Sequence, residues 1–115
     1  MHTRMQIHKD MIGWRLENVV YIELLRRCAY DFYDVYYHKP APRAKEIDFV
    51  VCDKSRAVEL IQVAYEIDSP RAYERETSSL VKASNAHSCN HLTLIAFTQT
   101  RDVVVEGKTI HIVSA

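Results

Sequence analysis

The chain is predicted to form a single α/β domain in which helices flank a central mixed sheet. Two observations carry this prediction: helical patterning alternates with runs of β-branched and aromatic residues, and 115 residues suffice for one hydrophobic core. The composition, 48% hydrophobic and 26% charged, is that of an ordinary globular protein. We expect the order helix, three strands, helix, strand and a C-terminal hairpin.

The first helix is predicted from about Gly13 to Ala29, with two arginines in its last turn, where cations complement the helix dipole. The residues before it, 1–12, are interpreted as a lead-in segment. The domain itself is therefore expected to comprise residues 13–115.

Three strands are predicted after this helix. The first, residues 33–37, is rich in tyrosine and ends before a proline-containing run at 39–43. The second and third, residues 46–52 and 58–66, flank a turn at 53–56 and should form an antiparallel hairpin. One face of the second strand is predicted to consist of the alternate residues Ile47, Phe49 and Val51.

The remaining elements complete the predicted fold. A second helix begins at Asp68-Ser69-Pro70, where a capping side chain precedes a proline at the first helical position, and it ends near Asn85. Residues 92–97 form a buried strand. The C-terminal hairpin joins residues 103–105 to residues 109–113 around a turn that contains a glycine.

Charge, cysteine and glycine content exclude several classes of protein. Fifteen basic and fifteen acidic residues balance to zero, which argues against a strong general affinity for nucleic acid. Three cysteines without paired spacing argue against a disulfide framework and for a reducing cytoplasm. No segment has the apolar length of a membrane span or of a signal-peptide core. With two glycines, the chain has no P-loop and no dinucleotide-binding fingerprint.

Glu17 marks the candidate site. It lies among apolar residues of the first helix, where an ionised carboxylate requires a metal, a charge partner or several hydrogen bonds. A hairpin centred near Ser55 places Asp48 opposite Gln62 and Glu46 opposite Ala64, and Gln62 and Ala64 share a face with Asp48. A helix that carries Glu17 over that face would bring two carboxylates and an amide together.

This arrangement resembles the PD-(D/E)XK, or restriction-endonuclease-like, nuclease superfamily. Its core has the same order of elements, and its site joins a helix glutamate, an aspartate in the second strand and a Glu-x-Lys in the third. Glu17 and Asp48 match the first two positions, whereas Gln62-Val63-Ala64 stands where Glu-x-Lys is expected. The resemblance makes Glu17, Asp48 and Gln62 candidate catalytic and Mg²⁺-binding residues. Because Ala64 replaces the lysine, we expect this degenerate site to be inactive and to require no cofactor.

A closer resemblance covers nearly the whole chain. The segments Gly13–Leu24, Glu46–Val50, Ile61–Tyr65 and Glu74–Glu76 resemble the C-terminal domain of unknown function in bacterial and archaeal AAA-type ATPases. In that family a nuclease-like domain follows an ATPase module. The resemblance implies that an ATPase module is a partner in cis, and that this chain is an excised domain or a fragment. We expect the family's closing apolar helix to be missing from this chain after Ala115.

Simpler interpretations compete with these. Glu17 pairs with Arg43 or caps a backbone amide in a purely structural account. The run from His87 to His91 suggests metal ligands, but it has no second cluster and is better interpreted as a polar connection. Three cations of the second helix either meet phosphates and replace the lysine, or lie on a solvated face beside Glu74 and Glu76; they are Arg71, Arg75 and Lys82. Tyr33, Tyr36 and Tyr37 are packing or interface residues.

The sequence leads to one functional hypothesis and two alternatives. The first is a non-catalytic, nuclease-like accessory or regulatory domain that mediates protein interaction or self-association and forms a homo-oligomer. The alternatives are a metal-dependent nuclease whose lysine function is displaced, and a nucleic-acid-binding module without cleavage. The missing lysine disfavours the first alternative, and the zero net charge disfavours the second.

Overall fold

A computed structural model describes the backbone of residues 2–37 and 47–115, and the side chains of residues 15–37 and 47–115. Its elements confirm the predicted mixed α/β class: six strands form one mixed sheet, and two helices pack on it. In chain order they are α1 (His2–Asp31), β1 (Asp34–Tyr37), β2 (Phe49–Asp53), β3 (Arg56–Val63), α2 (Pro70–His87), β4 (Leu92–Ala96), β5 (Arg101–Val105) and β6 (Lys108–Ser114).

The six strands follow the spatial order β1-β2-β3-β4-β6-β5. Strand β4 runs parallel to both of its neighbours, β3 and β6, whereas the other pairs are antiparallel. Helix α2 provides the crossover that a parallel β3–β4 pair requires. The two ends of the sheet are therefore antiparallel units, and β4 joins them.

The predicted register of the β2–β3 hairpin is correct over most of its length. Phe49 pairs with Ile61 and Val51 with Glu59, the register that places Asp48 opposite Gln62. The pairing then shifts by one residue between Val51 and Cys52, as in a β-bulge. The shift allows a turn of only two residues at positions 54 and 55, shorter than the predicted turn.

Each helix covers a separate core on one face of the sheet. On the α1 side, Val20 and Cys28 pack with Phe49, Ile61 and Val63. The core on the α2 side is larger and comprises buried residues of the second helix and of four strands or their flanks, among them Leu80, Val81, Val50, Leu60, Leu92, Leu94, Ile110 and Ile112. Strands with both faces buried account for the near-continuous apolar runs in β2 and β4.

Ile47 was predicted to share a face with Phe49 and Val51, and this was wrong. Ile47 belongs to the core on the α2 side, whereas Phe49 and Val51 belong to the core on the α1 side. The reason is that β2 begins only at Phe49, so the alternation of a pleated strand does not extend back to residue 47. Glu46 and Arg43 lie outside the described residues, and so do the predictions that involve them.

The first helix is longer than predicted. It begins at His2 rather than near Gly13 and ends at Asp31. Residues 2–12 contain neither glycine nor proline, so nothing in this stretch breaks a helix. They also lack the apolar spacing on which the predicted start relied.

The start of α2 was predicted correctly. Ser69 is its N-cap, with Oγ accepting a hydrogen bond of 3.1 Å from the Ala72 amide, and Pro70 is the first helical residue. The helix continues to His87 and ends at Ser88, which is in the left-handed conformation (φ 51°). This helix carries Glu76 over the end of the β2–β3 hairpin.

No helix in the described part of the chain is long and apolar enough to cross a membrane.

Candidate functional site

Asp48 lies where β2 and β3 begin to separate, and it interacts with both Glu17 and Gln62. The prediction that the helix of Glu17 covers the face shared by Gln62 and Ala64 was wrong, because Ala64 belongs to the core on the α2 side and Gln62 bonds to Glu76 of α2. Asp48 precedes β2 by one residue, and Gln62 is the penultimate residue of β3. Asp48 and Gln62 are buried, and Glu17 of α1 is half-buried beside them. The predicted hairpin register is what places the carboxylate and the amide on adjacent strands.

Asp48 and Gln62 use their side chains to extend the hydrogen bonding of the hairpin. The Asp48 amide donates to Gln62 Oε1 at 3.0 Å, and the Val63 amide donates to Asp48 Oδ2 at 2.8 Å. Buried backbone amides need partners, and these two lie just beyond the last paired residues of the ladder. The two side chains therefore replace backbone carbonyls at the end of the hairpin.

Glu76 of α2 is a fourth member of the site that the sequence analysis missed. Gln62 Nε2 donates to Glu76 Oε2 at 2.9 Å, and Arg75 Nε lies 3.2 Å from Glu76 Oε1. The sequence analysis placed Glu76 on a solvated face, which was wrong, because the residue is buried. The available signal was its spacing of four residues from Ala72 and from Leu80, both of which face the sheet.

Aromatic packing positions Glu17. The Tyr37 hydroxyl donates to Glu17 Oε2 at 3.5 Å, and the Tyr37 ring stacks on Phe49 with centroids 4.8 Å apart. Tyr21, one helical turn from Glu17, packs on Tyr37 at 5.2 Å. Tyr37 is thus a packing residue, one of the two roles predicted for it, and its hydroxyl also binds the Glu17 carboxylate.

The family model described as Domain of unknown function (DUF4143) matches residues 13–114, nearly the whole chain. The chain belongs to this family. Comparisons with curated proteins and with solved structures gave no match. The description of the DUF4143 family states no activity, so the roles of these residues must be argued from their geometry.

Burial and neighbouring carboxylates change the pKa values of Asp48 and Glu17 in this site. Burial raises the pKa of Asp48 to about 7; the Val63 amide lowers it, and the charges of Glu17 and Glu76 raise it further. The pKa of Glu17 is also raised, chiefly by burial, although hydrogen bonds from Asp48 and Tyr37 oppose this. Below about pH 7 Asp48 is therefore the protonated member of the pair, and its hydroxyl donates a hydrogen bond to the Glu17 carboxylate.

Two of the oxygen atoms that a Mg²⁺ ion would use at this site accept hydrogen bonds within the protein. Mg²⁺ requires oxygen atoms that converge on one point in near-octahedral geometry. Here Gln62 Oε1 accepts from a backbone amide, and Asp48 Oδ2 does the same. In residues 15–37 and 47–115, no three His, Cys, Asp or Glu side chains are arranged to hold a metal ion. Ala64 is buried in the core on the α2 side and offers no cation.

The other predicted candidates lie away from this site. His91 lies 3.7 Å from Glu59 on the α1 side of the sheet, whereas Cys89 is buried in the core on the other side. The run from His87 to His91 therefore does not converge on one point. Of the three helix cations, Arg75 alone has a described ion pair, with Glu76, and Arg71 and Lys82 are exposed.

The raised pKa of Asp48 predicts a pH-dependent stability. Its carboxyl holds a proton more tightly when folded, with a pKa of about 7, than at the ordinary value of 3.8. The contribution of this carboxyl group to the free energy of unfolding is fully present below about pH 4 and is lost as the pH rises through about 7. The substitution Asp48→Asn keeps a neutral side chain, so urea unfolding should show a flatter pH dependence than in the wild type. Glu74→Gln, at an exposed position of α2, is the control. If the free energy of unfolding changed equally with pH in the wild type and in Asp48→Asn, the raised pKa could not be assigned to Asp48.

A second prediction concerns Glu17. In Glu17→Gln the side chain still accepts from Tyr37 and from protonated Asp48, so the free energy of unfolding should change little at about pH 5, below the Asp48 pKa of about 7. Glu17→Leu leaves both partners without this group and should cost about 1–3 kcal/mol in denaturant unfolding. Glu74→Leu, at an exposed position of α2, is the control for added apolar surface. Equal stabilities of wild type and Glu17→Leu would show that Glu17 does not hold the site.

Proposed function

We propose that this domain is a non-catalytic, nuclease-like interaction module that serves an AAA-type ATPase. In this proposal the fold is a PD-(D/E)XK core whose active centre has become structural. Two kinds of observation support it: the motifs around Glu17, Asp48 and Gln62, and the hydrogen bonds that these side chains make.

The interaction between Gln62 and Glu76 carries the proposal. Gln62 uses its oxygen for the Asp48 amide and its nitrogen for Glu76, so both ends of the amide are occupied within the protein. A nuclease instead needs oxygen atoms that bind a metal, which activates water and neutralises the phosphate charge. In this domain the same positions link β2, β3 and α2.

Exposed apolar side chains favour an interaction role. Val19, Ile22 and Leu25 of α1 are exposed, and so are Val104 and Val113 of the terminal hairpin. Contiguous apolar surface on a globular domain marks sites of protein interaction. Accessory domains use such surfaces to bind a partner or another copy of themselves.

The alternative of a metal-dependent nuclease is favoured by one observation. Asp48 has a strongly raised pKa, to which burial and the charges of Glu17 and Glu76 contribute. Perturbed carboxylates of this kind occur at catalytic sites as well as in structural networks. In this account Arg75, 3.2 Å from Glu76, would supply the displaced cation.

A cleavage assay separates the two functions. We expect no hydrolysis of single- or double-stranded DNA by the purified chain with Mg²⁺ or Mn²⁺, because Ala64 stands at the lysine position and Gln62 is occupied. Asp48→Ala protein, prepared in the same way, measures the contaminating background. Cleavage by the wild type that disappears in Asp48→Ala would reject the proposal and establish the nuclease.

The ATPase link has its own test. If the domain serves an ATPase in cis, the gene should encode, in the same reading frame upstream of Met1, a glycine-rich phosphate-binding loop, which the 115 residues themselves lack. Sequencing of the gene region checks this. A gene that stands alone, with no ATPase gene beside it, would contradict this part of the proposal.

A further inference from the structure

A groove on the α1 side of the sheet is polar at one end and apolar at the other. It has a volume of about 840 Å³ and lies between α1 and the strands β3, β4 and β6. These three strands run in the same direction, so each presents its residues to the groove in the same order. A polar residue precedes an apolar one in every case: Glu59 precedes Ile61, Thr93 precedes Ile95, and His111 precedes Val113.

Glu59 supplies the charge of the polar end. Its side chain is 27% exposed, its Oε2 accepts a hydrogen bond of 2.9 Å from the Thr93 hydroxyl, and His91 Nε2 lies 3.7 Å from the same oxygen. Within residues 15–37 and 47–115, neither an arginine nor a lysine forms an ion pair with Glu59. A carboxylate that is partly withdrawn from water is stabilised when an opposite charge approaches it. Glu59 therefore offers a charge that a bound cation would neutralise.

The β-bulge in the β2–β3 hairpin places Glu59 in the groove. The shift in register leaves two consecutive residues, Val58 and Glu59, on the α1 side of the sheet. Cys28 of α1 lies close to this carboxylate: burial raises the pKa of the Cys28 thiol, and the charge of Glu59 raises it further. The Glu59 carboxylate is thus held beside the helix rather than directed out into solvent.

His111 adds an acceptor nitrogen to the polar end. Its Nδ1 lies 2.8 Å from Asp102 Oδ1. An ionised carboxylate only accepts hydrogen bonds, so the hydrogen of a neutral imidazole is on Nδ1 and Nε2 keeps its lone pair. The ring of His91 packs edge-on against the ring of His111, with centroids 6.0 Å apart. The polar end therefore presents acceptors, a carboxylate and an imidazole nitrogen, to the groove.

The apolar end has the size and lining of a small-molecule pocket. Ile95 packs in the core on the α1 side, Val113 is 39% exposed, and Leu16 and Val20 of α1 complete the wall. The strand from His91 to Ile95 extends over roughly 13 Å, a length similar to that of an extended octylamine molecule. Pockets for small organic ligands usually enclose roughly 300–1,000 Å³ and are mostly apolar with a few polar groups.

We propose that this groove binds a small organic cation, a primary ammonium group carried on an apolar chain. The ammonium group donates hydrogen bonds to Glu59 and to His111 Nε2, and the chain lies against Ile95 and Val113. None of the four residues of the Asp48 site lines the groove. The inference therefore goes beyond the proposed function and does not depend on it.

The charges at the groove favour a cation over an anion. Asp31 lines the groove together with Glu59, whereas Arg27, the one arginine or lysine among the lining residues, lies 3.8 Å from Glu23 of its own helix. An ammonium group has three donors and no acceptor, which matches a set of acceptors. Among the described residues no three His, Cys, Asp or Glu side chains are arranged to hold a metal ion, so the cation is organic.

The apolar end favours a free amine over a lysine side chain of another protein. Both present the same ammonium group. A lysine that reached Glu59 would bring its peptide backbone against Ile95 and Val113, where the polar backbone groups would lose their partners in water. An alkyl chain instead gains apolar contact there.

Isothermal titration calorimetry with octylamine tests the proposal at about pH 8, where an ordinary imidazole is neutral and an alkylamine is charged. The wild type should bind one octylammonium ion per chain. Glu59→Gln keeps an acceptor for Thr93 but removes the charge, so binding should weaken about tenfold, the effect of one charged hydrogen bond. Glu74→Gln, at an exposed position of α2, is the matched control and should bind as tightly as the wild type. Circular dichroism checks that each variant is folded.

Two further ligands and one further variant complete the test. Octanoate has a similar chain and the opposite charge, and it should bind at least about tenfold more weakly than octylammonium. The N-acetyl methylamide of lysine should also bind more weakly, because it lacks the alkyl chain. Val113→Ser, at the apolar end, should weaken octylammonium binding severalfold.

The opposite results would reject the proposal. They are the absence of saturable octylammonium binding, equal binding of octanoate, and full affinity in Glu59→Gln or in Val113→Ser. Tighter binding of the lysine derivative than of octylamine would assign the groove to a lysine side chain of a partner protein and overturn the small-molecule site. DNA cleavage enters none of these measurements, so failure here and failure of the non-catalytic role can be told apart.

Discussion

The buried contact between Asp48 and Val63 is the interaction on which this fold depends most. The carboxylate accepts the Val63 amide at the point where β3 leaves its partner strand. Asp48 also interacts with Glu17, which belongs to α1, and Gln62 donates a hydrogen bond to Glu76, which belongs to α2. A single polar cluster thus connects both helices through the sheet. Buried networks of this kind stabilise a fold only when every member is satisfied, and no buried side-chain nitrogen or oxygen in the described residues lacks a partner.

Under the proposed function, the hydrogen bonds explain how the set of Glu17, Asp48 and Gln62 can persist without catalysis. A carboxylate and an amide that replace backbone carbonyls at a strand end contribute to folding regardless of any substrate. Removal of either one would leave buried amide groups unpaired, which is costly. Selection for stability alone would therefore retain Asp48 and Gln62. In the proposed function, the resemblance to a catalytic site is a property of the fold's architecture rather than a sign of activity.

Local patterns predicted much of this structure, and long-range contacts supplied the rest. The hairpin register followed from the turn near Ser55, and the start of α2 followed from Ser69 and Pro70. Glu76 was missed because a carboxylate next to an arginine on a helix is usually solvated, and its helical spacing from Ala72 and Leu80 was the one local signal of its burial beside Gln62. The face of Ile47 was wrong because the sequence does not show where β2 begins. The position of β4 between two parallel neighbours could not be predicted from local spacing at all.

That position has a consequence for how the chain folds. The antiparallel pairs β2–β3 and β5–β6 join strands that are adjacent in sequence, so each forms by closing a short loop. Strand β4 must instead meet Leu60 on one side and Ile110 on the other through its residue Leu92. Contacts between distant residues carry a larger loop-closure entropy and slow the folding of a domain. The insertion of β4 is therefore the step at which two locally formed halves become one cooperative unit.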